Sequence, residues 1–269
     1  ELSIKLYKES LDRLNKTEDF SKRAEIFYQI HLIYNNSLND LESSLDFINK
    51  CIKIDPKNDK YYIARGDLFS NKLNNYDNAM IDYEKAIELN DIAENYFKRG
   101  LLYRYKLNND DKALEDFNLA ITNECDINFL EPKNSSYRIY IERAKIFSPF
   151  EKGKESLKNT IKSLMDYQEG YEQYKIQNFE KKINKKQAAS FLTKIAEIYS
   201  LSLENYEMAV KYYSDAIYLE PSLEMFLQRA NLYIELNKST LAEIDFIKAN
   251  DYINIKANRY ENLSPGFRD

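Results

Sequence analysis

Along this chain, bulky apolar and small residues recur at intervals of three and four, the spacing of one helical face. Tyr62, Gly66 and Phe69 stand at i, i+4 and i+7, and Ala79, Tyr83 and Ala86 repeat the stripe after a short gap. The gap holds Asn74, Asn75 and Asp77, residue types that supply turns and helix N-caps. The segment therefore reads as a helical hairpin. It returns 34 residues later without insertion as Tyr96, Gly100, Tyr103, Ala113, Phe117 and Ala120, with Asn108, Asn109 and Asp110 in the turn. Within each stripe small residues alternate with aromatic ones. Small slots let two helix axes approach closely, and aromatic side chains fill the adjoining gaps.

A fixed period of this length is the signature of a stacked-repeat architecture. The order of slots (aromatic, Gly, Tyr, Ala, Phe, Ala, Pro) resembles the tetratricopeptide repeat, which implies an all-α, right-handed superhelical solenoid of antiparallel helix pairs. Read on the same slots, the chain carries about six repeats within a single solenoid over 1–269. The first, 21–57, has Phe27, His31, Tyr34, Ser44, Ile48, Cys51 and Pro56; the second and third are 59–91 and 93–126. The fourth, 137–170, has Tyr140, Ala144, Phe147, Ser156, Thr160 and Ser163, a looser fit in its second helix. The fifth, 189–221, has Leu192, Ala196, Tyr199, Ala209, Tyr213, Ala216 and Pro221, and the sixth, 223–254, has Phe226, Ala230, Tyr233, Ala242, Phe246 and Ala249. Ser3, Tyr7 and Ser10 suggest a partial repeat or N-terminal helix over 1–16, and 255–269 reads as a C-terminal cap or truncated repeat.

Arg65, Arg99, Arg143 and Arg229 fall just before the Gly or Ala slot, and in three of those repeats an Asp (Asp82, Asp116, Asp245) precedes the second-helix aromatic. The fifth repeat has Ile195 and Tyr212 instead. Such covariation predicts a charge-assisted Arg–Asp pair inside the hairpin.

The period breaks twice. A short linker is expected around Asn128, Pro132 and Asn134, and 151–186 reads as an extended helix or insertion. Its stripe runs through Leu157, Ile161, Leu164 or Met165, Gln168, Tyr171, Lys175 or Ile176, Phe179 and Ile183, with a bend at Gly170. It either packs on the fourth and fifth repeats or offers a separate docking surface. Lys181, Lys182, Lys185 and Lys186 are read as a solvated tip that offsets the helix C-terminal dipole.

Composition narrows the function classes. A net charge of −5 opposes a broad phosphate-binding surface, so nucleic acid is not an expected partner. No apolar run is long enough for a membrane span. The 23 tyrosines beside abundant Asn, Lys and Ile read as codon bias first. Cys51 and Cys125 are too few for a disulfide framework and too far apart for a metal motif; the first fits a core slot and the second closes a helix. Glycines are isolated, so no phosphate-cradling loop exists. The single histidine, His31, leaves no triad, zinc site or His-based acid–base pair, and its packing slot makes it a satisfied core residue. The chain is read as a non-enzyme without metal or cofactor.

The resemblance implies that first helices line a concave groove. Carried over slot by slot, that groove holds Tyr28 and Leu32; Ile63 and Asp67; Phe97, Leu101, Arg104 and Tyr105; Arg138, Ile141 and Lys145; Thr193 and Glu197; Leu227, Asn231 and Ile234. The Lys, Asn and Arg clamp with which some family members grip acidic chaperone tails is absent from the first three repeats. A hydrophobic or mixed protein segment is the expected ligand, the competing reading being that these apolar residues pack on neighbouring helices. The function expected is thus an interaction scaffold; the alternative is a structural or regulatory segment of a larger protein. A cytoplasmic site is the default, with a periplasmic or lipid-anchored form the alternative.

Overall fold

The computed structural model describes residues 6, 7, 9, 20–125, 136–147, 154–178 and 184–262. Twelve α-helices follow one another there, with a π-helical segment, Tyr34–Leu38, after the first, and no strand occurs among the described residues. They are α1 (Phe20–Ile33), α2 (Leu41–Ile54), α3 (Asp59–Asn71), α4 (Tyr76–Leu89), α5 (Ala93–Tyr105), α6 (Asp110–Cys125), α7 (Ser136–Ile146), α8 (Lys154–Gln177), α9 (Lys185–Leu201), α10 (Tyr206–Leu219), α11 (Leu223–Glu235) and α12 (Ser239–Asn262). The chain divides into two compact units, Glu1–Asn128 and Phe129–Asp269. Each contains three consecutive hairpins. Within a unit, every first helix packs on the second helix of its own hairpin, and that second helix packs on the first helix of the next.

The sequence sets the ends of these helices. Asp40, Asn58, Asn75, Asn184, Asn205 and Ser222 are N-caps whose side chains accept a hydrogen bond from a backbone N–H of the first turn. Turns inside the hairpins pass through a left-handed residue: Asn39, Asn74, Asn108, Glu204 and Asn237 all have φ between 48° and 55°. The following N–H then bonds a carbonyl six residues back, as from Asn75 to Phe69, Asn109 to Tyr103 and Asn205 to Tyr199, which satisfies the end of the first helix. Asn takes the left-handed conformation more readily than other side chains, so the asparagines of the turns have a structural reason.

The slots pack as their sizes demand. A Cβ added to Gly66 would lie 2.7 Å from Cε1 of Tyr83, and one on Gly100 2.6 Å from Cε1 of Phe117. Ala79, Ala86, Ala113, Ala120, Ala209 and Ala216 are wholly buried. Cys51 fills the corresponding slot of the first hairpin as a core thiol, donating to the Ala24 carbonyl; burial pushes its pKa up to about 12. Phe246 differs. The equivalent aromatic side chains Tyr83, Phe117 and Tyr213 are buried, but Phe246 on α12 is 40% exposed, because no further hairpin packs over it among the described residues.

Two expectations for the fourth repeat change. The second helix was read on Ser156, Thr160 and Ser163, with a bend at Gly170; the packed stripe is Ser163, Tyr167 and Gly170, one heptad later. Ser163 and Gly170 are buried, the Ser163 hydroxyl donates to the Ala144 carbonyl, and a Cβ on Gly170 would meet Tyr137 O and Tyr140 Cβ at 3.4 Å. Gly170 is therefore a close-approach slot inside an unbroken 24-residue helix. That helix ends at Gln177, and Asn184 caps the next. Lys185 and Lys186 accordingly open α9 and do not close α8, so they sit at the dipole's unfavourable end. Residues Ser3, Ser10, Asn128, Pro132, Asn134, Phe179, Lys181, Lys182 and Ile183, on which other expectations fell, lie outside the described residues, as do 263–269. The sixth repeat's second helix continues past 254 to Asn262.

Candidate functional site

The arginines before the small slot all reach a carboxylate on the second helix. Arg65 binds Asp82, Arg99 binds Asp116 and Arg229 binds Asp245, each through two N–H···O bonds of 2.7–2.9 Å. Arg143 does the same with Asp166, at 2.9 and 2.6 Å, a partner that the mistaken register of α8 concealed. The aspartates are nearly buried while the guanidinium groups keep an exposed edge. Burial pushes the Asp82, Asp116 and Asp166 carboxyls up from the ordinary range, against the downward pull of their arginines. Arg65 and Arg229 also donate backward, to Asn49 on α2 and Ser214 on α10 at 2.7 and 2.8 Å. One guanidinium thus joins three helices.

Where the pair is missing, another takes its place. In α9–α10, Ile195 and Tyr212 hold the two slots, and Tyr212 stacks on Tyr199 with ring centroids 5.5 Å apart. In α1–α2 the slots hold Ile30 and Phe47, and Phe47 stacks on Tyr34 at 5.6 Å. His31 beside Ile30 is buried, its Nδ1 3.0 Å from the Ser44 carbonyl oxygen and 2.9 Å from the Ser44 hydroxyl. Burial lowers its pKa. It is the satisfied core histidine expected.

The proposed groove residues separate into two sets. Phe97 is 2% exposed, with its ring 5.8 Å from that of Phe117; it belongs to the core of its own hairpin, and its placement in an open groove is corrected. Tyr28, Ile63 and Ile141 are half-buried against core clusters centred on Ala24 and Ile48, on Ala79 and Tyr83, and on Tyr174 and Phe191. Leu32, Leu101, Arg104, Thr193 and Glu197 are partly buried. Asp67 accepts from the Tyr83 hydroxyl and from Lys98, both at 2.8 Å, bridging hairpins inside the first unit. The exposed set is Tyr105 on α5, Arg138 and Lys145 on α7, and Leu227, Asn231 and Ile234 on α11. Lys145 pairs with Glu142 at 2.6 Å. Leu227, Asn231 and Ile234, at i, i+4 and i+7, make one continuous solvent-facing strip.

A cleft of about 470 Å³ opens elsewhere in the second unit, between α8 and α10. Leu192, Ile195 and Leu219 supply apolar lining, and Tyr171, Tyr212 and Tyr218 its aromatic walls. Among the described residues no cluster of three or more His, Cys, Asp or Glu side chains could hold a metal, and no helix is long and apolar enough to cross a membrane.

The tetratricopeptide repeat family model matches residues 24–58, 59–91 and 189–223. These three segments of the chain are tetratricopeptide repeats. No curated protein sequence matches it, so solved structures give the remaining comparison. BtubC (BKLC) from P. vanneervenii is similar at 18% identity with a TM-score of 0.62, over 87% of this chain and 95% of that one. Pseudomonas aeruginosa pilF is similar at 16% identity with a TM-score of 0.59, over 90% of this chain and all of the other. A chain of the APC/C hetero-tetramer Cut9-Hcn1 is similar at 15% identity and TM-score 0.52; the match covers 91% of this chain but only 42% of that one. At these identities the likeness is one of fold.

Two features of the chain escaped sequence reading. Asn95 is buried on α5, and its amide donates to the carbonyls of Ala86 and Asn90 and to Asp59, at 2.8–3.1 Å; it satisfies carbonyls at the end of α4 and ties that end to α3 and α5. No repeat slot announces it. The cleft is the other, and Ile195 with Tyr212 was its visible signal.

Proposed function

We propose that this chain is an interaction scaffold that takes a peptide or protein segment along the exposed faces of its first helices. Tetratricopeptide repeats generally mediate protein–protein interaction and the family is typically non-catalytic, which supports the broad reading. The observation that carries the finer one is the α11 strip, where Leu227 and Ile234, 37% and 51% exposed, flank Asn231. Apolar side chains flanking an amide suit a segment that offers both side-chain contacts and hydrogen bonds. Tyr105 on α5 and Arg138 with Lys145 on α7 are the other exposed first-helix residues to which the same reading applies, each within its own unit.

The test uses a displayed peptide library selected on the full chain. Leu227→Ser combined with Ile234→Ser is expected to weaken the selected peptides by about 2 kcal/mol or more, as central apolar anchors do, with the helical circular dichroism unchanged. Selected peptides that bind this double variant as tightly as the parent would overturn the assignment.

A further inference from the structure

The cleft between α8 and α10 lies where neighbouring hairpins of the second unit keep a guanidinium. α7–α8 and α11–α12 each carry an arginine that pairs with a second-helix carboxylate, and each arginine lies near a tyrosine ring: Arg143 is 5.7 Å from Tyr140 and Arg229 is 5.8 Å from Tyr233. In Arg229 the guanidinium also reaches across to the preceding hairpin. In α9–α10 that cation is gone. Ile195 and Tyr212 occupy the slots, and a long hydrogen bond crosses the gap, from the Gln168 amide to the Tyr212 hydroxyl at 3.3 Å.

What remains is a cation site's surroundings without the cation. The floor is apolar, tyrosine rings stand at the walls, and Tyr218 is 87% exposed beside the opening. Asp215 lies on the lining and makes no hydrogen bond or ion pair among the described residues. We propose that this cleft receives the arginine side chain of a partner polypeptide. Its methylene stem would lie over Leu192, Ile195 and Leu219, and its guanidinium between the tyrosine rings and Asp215. Two ammonium groups already sit nearby: Lys211, 5.9 Å from the Tyr212 ring, and Lys175, 4.9 Å from the Tyr171 ring and paired with Glu172 at 2.6 Å. Net charge therefore does not select the ligand. Selection comes from the planar guanidinium, which stacks on an aromatic ring and bonds a carboxylate in the same plane, as a lysine cannot.

The proposal is tested on the full chain with methyl-labelled leucine and isoleucine, by NMR titration with N-acetyl-arginine-N-methylamide and with its lysine and norleucine counterparts. The methyl signals of Leu192, Ile195 and Leu219 should shift saturably with the arginine compound, and about tenfold more weakly with the other two. Asp215→Asn, at an exposed position, should weaken arginine binding by roughly fivefold. Ile195→Arg combined with Tyr212→Asp rebuilds the internal pair and should abolish the shifts. Equal binding of norleucine, an unaltered affinity in Asp215→Asn, or no saturable shift at these methyls would each overturn it. Leu227→Ser with Ile234→Ser should leave the titration unchanged, which separates this cleft from the α11 strip.

Discussion

His31 is buried against a carbonyl and a hydroxyl with no carboxylate beside it, and that arrangement couples folding to pH. The unfolded chain takes up a proton near the ordinary value of 6.5, whereas burial holds the folded ring below it. Between those two values the unfolded state binds more protons, so stability falls as pH drops through 6.5. Asp82, Asp116 and Asp166 act in the opposite sense: their raised folded values mean the native state binds protons first on acidification, and stability gains. Comparing His31→Gln with the parent isolates the histidine. The parent's denaturant midpoint should fall relative to the variant's as pH is lowered from about 7 to about 5.5; parallel curves would show that the ring titrates normally. At this scale the repeat slots were legible because residue size and spacing alone define them. Phe97 was misplaced because spacing says which side of a helix a residue takes, and not how deeply Phe117, from another helix, covers it.

At the scale of the element, the turns expose a weak point. Four of the five left-handed turn residues outside glycine are asparagines, and the fifth is Glu204, whose side chain has no local hydrogen bond with which to offset that backbone conformation. Glu204→Asn should raise stability by about 0.5–1 kcal/mol, seen as a higher midpoint in chemical denaturation, and Asn74→Glu should lower it by a similar amount. No change in either variant would remove backbone strain as the reason for the asparagines. Element boundaries were largely readable from caps and turns. The exception is α8, whose packed stripe begins at Ser163, well inside the helix that starts at Lys154, so that a weak stripe, Ser156 to Ser163, masked the true one. The Asp166–Tyr167 dipeptide was the available clue, since an Asp before an aromatic residue marks the second helix in the second, third and sixth repeats.

For the molecule, stacking makes stability a sum over hairpins and their neighbours, and the chain divides into two such stacks. Arg99→Ala leaves Asp116 buried with its partner gone, a loss of about 3 kcal/mol. Hydrogen exchange should quicken in α3 to α6 and remain at parent rates in α9 to α11; equal acceleration throughout would show that the chain unfolds as one cooperative body. The exposed first-helix residues could be named in advance only by inheritance from the family, because which of them stay in water depends on neighbours in three dimensions.

The guanidinium that ties a first helix to its second helix also constrains how such chains can be rearranged by recombination. A crossover inside a hairpin that joined the first helix of α9–α10 to the second helix of α5–α6 would set Ile195 against Asp116 and strand a buried carboxylate. A crossover between hairpins carries both members of the pair together and loses at most the backward bond to the preceding hairpin, of the kind Arg65 makes to Asn49. The unit of inheritance that this chemistry protects is the hairpin, and the single helix is not exchangeable.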